Sequence, residues 1–77
     1  MTQTSPVFYD RSTDTMYVTF REGRVAHTVA HDARDFAIDM GEDGQPMGYE
    51  IQFASKHPEL IAEALQILQD GRKIAAE

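Results

Sequence analysis

Cysteine is absent from this chain, which excludes disulfides and takes thiolate metal sites with them. No apolar run approaches membrane-spanning length, and there is no internal repeat, linker or low-complexity stretch. Basic side chains are scarce, seven against thirteen acidic ones, for a net charge of −6. Such a field repels phosphate backbones and anionic membranes, so direct nucleic-acid binding and membrane attachment are not expected. It favours a basic protein partner, and it also serves solubility. Residues 1–6 are polar without the basic-then-apolar order of a signal peptide or anchor, and the expected location is the cytoplasm.

What remains is 77 residues, enough for one core. A domain of this size hides only roughly 60–65% of the surface its unfolded chain exposes, so its stability is modest. Small domains are reinforced by disulfides, metal or self-association, and with cysteine missing the expectation is a homo-oligomer, a dimer first.

From Val7 to Phe53 the apolar residues recur with a period near two, and from Leu60 onward with a period near 3.6. The expected fold is therefore α+β: an antiparallel sheet of four to five short strands (7–53), with one C-terminal amphipathic helix (58–71) packed on one face. Residues 1–77 form a single domain, with flexible ends at 1–6 and 72–77. Val7–Tyr9 reads as the first strand, followed by a polar hairpin loop at 10–14. Thr15–Phe20 places Met16, Val18 and Phe20 on one face. After a turn at 21–24, a third strand is expected at Val25–Val29, and His31–Asp35 reads as a connection. Phe36, Ile38 and Met40 then alternate with polar or small residues, as do Met47, Tyr49, Ile51 and Phe53. Between these runs lies Gly41-Glu42-Asp43-Gly44, where Asp-Gly is a strong hairpin signal, with Pro46 expected at the start of the next strand.

Pro58 suits a first helical turn, Ser55 or His57 a cap, and Glu59 the positive end of the helix dipole. Leu60, Ile61, Ala64, Leu65, Ile67 and Leu68 fall within roughly 160° of arc, and Gly71 reads as the stop. That stripe is broad for so small a sheet. Its outer flank, with Leu60, Ile67 and Ile74, is the expected place for a partner to dock.

Chemistry-bearing patterns are few. Asp39, Asp43, Gly44 and Glu50 match a calcium-loop spacing in part, but Gly41 stands where an oxygen ligand belongs and the flanks alternate as strands rather than helices. Asp39, Asp43 and Glu50 are thus weak metal candidates only, and no metal is expected to bind. His27, His31 and His57 are of a type that binds metal or moves protons, but residues four apart on a strand lie about 13 Å from each other, too far for one metal, and His31 is expected in a loop, so surface or satisfied histidines are the expectation. Ser12 and Ser55 lack a nucleophile elbow, and no glycine loop leads from a strand into a helix to cradle phosphates. No catalytic set and no cofactor are expected.

The order of features does resemble a known family. Tyr9-Asp10, Asp14, Met16-Tyr17-Val18, then Ile38 through Gly44, then Gly48-Tyr49-Glu50-Ile51 resemble the small bacterial domain-of-unknown-function 2283 family. Its members read approximately Y-D-x-x-x-D-x-L-Y-I, D-L-D-E-D-G and G-I-E-I. Met16 stands here for the usual leucine and Gly41 for the usual aspartate. The resemblance implies a compact sheet-and-helix unit without an established activity. Some such proteins look like neighbours of RNA-cleaving toxins, which implies an antitoxin-like role beside a basic toxin. The expected function is a non-catalytic, self-associating interaction module. The alternative is a small-ligand or metal-assisted enzyme using the acidic hairpin residues.

Overall fold

In the computed structural model, which describes residues 6–75 and side chains as far as Gly71, the alternating runs become five strands. They are β1 (Val7–Asp10), β2 (Thr15–Thr19), β3 (His27–His31), β4 (Phe36–Met40) and β5 (Pro46–Gln52). All neighbours pair antiparallel, in the order β1-β2-β5-β4-β3. Short 3-10 turns follow β3 (Asp32–Arg34) and β5 (Ala54–Lys56), and the chain ends in α1, Pro58–Ala75. The fold is thus α+β, one five-stranded antiparallel sheet with one C-terminal helix. No helix among the described residues is long and apolar enough to cross a membrane.

Period-two alternation assigns the two faces. Val18 and Met16 of β2 stand opposite Tyr49 and Ile51 of β5, which stand opposite Ile38 and Phe36 of β4. All six point to the helix side, where Val18, Phe36, Tyr49 and Ile51 join Ala54, Leu60, Ala64 and Leu68 in the core. The helix packs chiefly on β2, β5 and the second 3-10 turn. Its buried positions, Leu60, Ala64 and Leu68, are four apart and so line one face, with Ile61 and Ile67 partly buried on either side. Phe20 and Phe36 each meet the Tyr49 ring, with centroids 5.3 Å away. The Tyr49 hydroxyl donates to Glu63 Oε2 on the helix at 2.6 Å. Burial and that bond push the phenol up to about 12.

The β4–β5 hairpin forms where Asp43-Gly44 placed it. Gly41 N–H donates to the Gln45 carbonyl and Gly44 N–H to that of Gly41, with Gly44 at φ +80. Asp43 Oδ1 accepts from the Gln45 N–H, and Pro46 opens β5.

Four expectations are corrected. The third strand begins at His27, because the connection from Phe20 continues through Ala26 and leaves Val25 outside the ladder, exposed. Phe53 does not extend β5: it turns left-handed at φ +52 and is half exposed, while Ala54 takes the core position. Ser55 is not the helix cap, because its N–H and hydroxyl both bond Asp14. The His57 carbonyl instead accepts the first helical N–H groups, from Leu60 and Ile61. Finally, Gly71 does not stop the helix, which runs on to Ala75. Gly71 has no positive φ and so makes no left-handed cap. The flexible ends expected at 1–6 and 72–77 lie largely outside the described residues, apart from the helical backbone of 72–75.

Candidate functional site

The quoted motif residues are mostly occupied with each other. Asp10 accepts from the N–H and hydroxyl of Ser12 at 3.0 and 2.7 Å, an Asx turn that closes the β1–β2 loop. Asp14, left-handed at φ +55, accepts the Tyr9 hydroxyl at 2.6 Å and the Ser55 hydroxyl at 2.7 Å, while its carbonyl accepts the Ala54 N–H. This staples the first hairpin loop to the passage from β5 into α1. Bonds to Tyr9 and Ser55 hold the Asp14 carboxyl below the usual range, and bonds to Ser12 do the same for Asp10. Only the spacing of Tyr9 and Asp14 signalled this in the sequence, since Ser55 lies 41 residues away.

Of the metal candidates, Asp39 and Glu50 share the open face of the sheet and Asp43 does not join them. Asp39 Oδ1 accepts the Thr28 hydroxyl at 2.7 Å. Partial burial and a bond with Asp39 raise the Glu50 carboxyl above the usual carboxylate value. Asp43 sits at the hairpin tip, 2.6 Å from Arg21 Nη2. The guanidinium lies where a side chain at Gly41 would go, since a Cβ there would stand 2.7 Å from Nη2. The Gly41 departure therefore makes room for the Arg21–Asp43 pair. No group of three or more acidic or histidine side chains placed to hold a metal occurs among the described residues.

A shallow depression of about 320 Å³ opens on the helix-free face, lined by Tyr17, Thr19, Arg21, Asp39, Gly48 and Glu50 among others. On the helix side, a groove of about 550 Å³ runs between the helix and the β4–β5 hairpin, with Phe20, Pro46, Ile67 and Gly71 on its walls. Of the flank residues expected to meet a partner, Ile67 lines this groove, Leu60 is fully buried in the core, and the side chain of Ile74 lies outside the described residues.

His57 joins the helix start to the β3–β4 connection: Nε2 lies 2.9 Å from Asp35 Oδ2, and Nδ1 lies 3.2 Å from Glu59 Oε2. The bond to Asp35 is the largest cause raising its pKa above 6.5, and Glu59 adds to it. A raised folded value means that this contribution to stability is complete below pH 6.5 and fades as pH rises through the folded value. In an NMR titration, the His57 ring is expected to titrate above an ordinary imidazole, and Asp35→Asn to bring it down. A midpoint at or below the ordinary value in the unchanged chain refutes the clamp.

His27 and His31 bound β3, the edge strand. All five of its residues are exposed, and the His31 ring stacks on Phe36 at 4.8 Å. The sequence pattern places the third strand at Val25–Val29, with His31 in the connection that follows; the strand instead runs to His31, and the helix, packed chiefly on β2 and β5, leaves it exposed.

These features define a small α+β domain whose loop motifs lock its hairpins and whose exposed chemistry lies on one sheet face and one strand edge. The family described as protein of unknown function (DUF2283) matches residues 7–55, more than half of the 77-residue chain, and the protein belongs to that family. The match takes in every strand and the Asp14–Ser55 staple, and it ends before the helix. Neither a curated protein nor a solved structure matches the chain.

Proposed function

We propose that this domain is a non-catalytic interaction module of the bacterial cytoplasm that self-associates and presents an acidic surface to a basic protein partner, in the manner of an antitoxin. The observation that carries the reading is β3, an edge strand with every residue exposed and no aspartate, glutamate, lysine, arginine or proline in it. Such an edge is a template for another strand, and proteins that stay monomeric blunt it with charge, proline or a covering segment. Support comes also from the motif residues, which are spent on turns and staples, and from the net charge of −6. Sedimentation velocity across the micromolar range is expected to show a concentration-dependent shift from monomer to dimer. A single monomeric species at high micromolar concentration overturns the self-association.

A second reading is favoured by one observation, the carboxyl pair Asp39–Glu50 beside the open depression. In that reading the depression receives a small ligand for a metal-assisted or acid-base reaction. Amide shifts at Gly48 and Glu50 during a metal and metabolite screen support it, and an unmoved spectrum removes it.

A further inference from the structure

The two edges of the sheet are built differently. β1 is four residues long, follows Pro6 and ends on Asp10. β3 is five residues long, pairs with β4 in unbroken register and contains no acidic residue, lysine, arginine or proline. Its sequence, His27-Thr28-Val29-Ala30-His31, is a palindrome in side-chain class: histidine at both ends, a small residue inside each, valine at the centre.

That symmetry matters because antiparallel pairing between identical strands is governed by a two-fold axis. An axis perpendicular to the sheet keeps each strand's faces on the same side, so paired residue numbers must add to an even total. Axes through Thr28 or Ala30 leave residues at one end without an opposite. The axis through Val29 pairs all five: Val29 with the partner's Val29, Thr28 with the partner's Ala30, and His27 with the partner's His31. The helix packs chiefly on β2 and β5, and β4 lies between those strands and β3; Arg34, over the Phe36 ring on which His31 stacks, is the charged group beside this edge on the helix side.

His27, Val29 and His31 lie on the helix side, opposite Met40, Ile38 and Phe36. His31 and the partner's His27 would therefore be directly opposed on one face, with Cβ atoms about 4.5–5.5 Å apart. Two imidazoles at that separation can both reach one divalent transition metal, each through a nitrogen about 2.0–2.1 Å from the ion. Within one chain the two rings cannot do this, being four residues apart along a strand. Symmetry makes two such pairs per dimer.

We propose that a second copy of this chain adds to the β3 edge, antiparallel and centred on Val29, to form a ten-stranded sheet, and that the two His27–His31 pairs so created take a zinc-class ion that tightens the dimer. The proposal rests on the self-association reading and names its surface. Five residue pairs make an interface in the small, transient class, below about 1,200 Å², so without metal the dimer is weak.

The test is sedimentation equilibrium of the untagged full chain with and without zinc chloride. Zinc is expected to tighten the dimer by about tenfold or more, two added ligand bonds outweighing the loss of bound water. His27→Ala is expected to abolish that response while leaving the zinc-free constant nearly unchanged. Val29→Lys sets like charges against each other at the axis and is expected to weaken the zinc-free dimer by about tenfold. Circular dichroism checks that this variant is folded. The absence of other cysteines allows an independent reading of the register: Val29→Cys is expected to form a disulfide dimer on mild oxidation far faster than Phe8→Cys, which lies on the opposite edge strand. A monomer under all conditions overturns the self-association itself. A dimer unaffected by Val29→Lys, with Val29→Cys no faster than Phe8→Cys, overturns the β3 edge while self-association stands. A zinc response that survives His27→Ala overturns the metal pair.

Discussion

Replacing Gly48 with alanine is expected to cost about 3 kcal/mol, the upper end of the range for overpacking, and to bring the protein close to unfolding at ambient temperature. Gly48 lies in the central strand, paired with Thr19 on one side and Asp39 on the other. A Cβ there would stand 2.6 Å from the Val18 carbonyl oxygen and 3.4 Å from Thr19 Cα. Both are backbone atoms of β2, so no side-chain rotation relieves the clash and the β2–β5 ladder must separate. Gly71→Ala is the contrast. Nothing lies within 4 Å of a Cβ there and the residue is helical, so the same substitution is expected to add about 0.5–1 kcal/mol. Urea midpoints at equal slope measure both. If Gly48→Ala loses less than about 1 kcal/mol, the interstrand approach is not the constraint described.

The need for that glycine is only faintly legible in the sequence. An isolated glycine in an alternating run hints at close backbone approach, but the neighbouring strand is set by topology. β2 precedes Gly48 by some thirty residues and reaches it by skipping two strands. The alternation itself was legible, since β2, β4 and β5 each have one face in the core, and so was the hairpin at Gly44, whose signal is local. The failures share a cause. Phe53 continues the period of two, yet the chain turns left-handed there so that Ala54 and Ser55 can reach Asp14. Ser55 looked like a cap because capping is a local habit, whereas its actual partner is distant in sequence.

The candidate surfaces were legible only in part. Composition indicated a need for reinforcement, and the spacing of Asp39 and Glu50 set both on one face of a hairpin. What periodicity could not reveal was which strand the helix would leave uncovered. The broad helical stripe drew attention to the helix flank, but most of it is used internally: Leu60, Ala64 and Leu68 in the core, Ile61 and Ile67 beside it. The bare element is β3, whose composition, taken alone, differs little from that of β2.

Leu60→Ala separates those two views of the helix and carries the second large expected effect. Leu60 is 0% exposed and belongs to the one cluster that joins Val18 and Ile51 of the sheet to Ala64 and Leu68 of the helix. Truncating a fully buried leucine costs about 2–5 kcal/mol, for lost transfer energy and the cavity left behind. Collapse around the hole is restricted here. On one side stands the hydrogen-bonded sheet, and on the other the helix start, tied down by His57 to Asp35 and by Ser55 to Asp14. The loss should therefore lie toward the upper half of that range, most of the stability of a domain with a single core. The effect should be wholly intramolecular: a lower urea midpoint at any protein concentration, and an unchanged dimer constant wherever the variant stays folded. Leu65→Ala, on the exposed side of the same helix, removes the same atoms from a residue that is 38% exposed and should cost about 1 kcal/mol or less. If instead Leu60→Ala dissociates a dimer while its monomer stays as stable as the unchanged protein, the leucine serves an interface and the core drawn here is wrong at its centre.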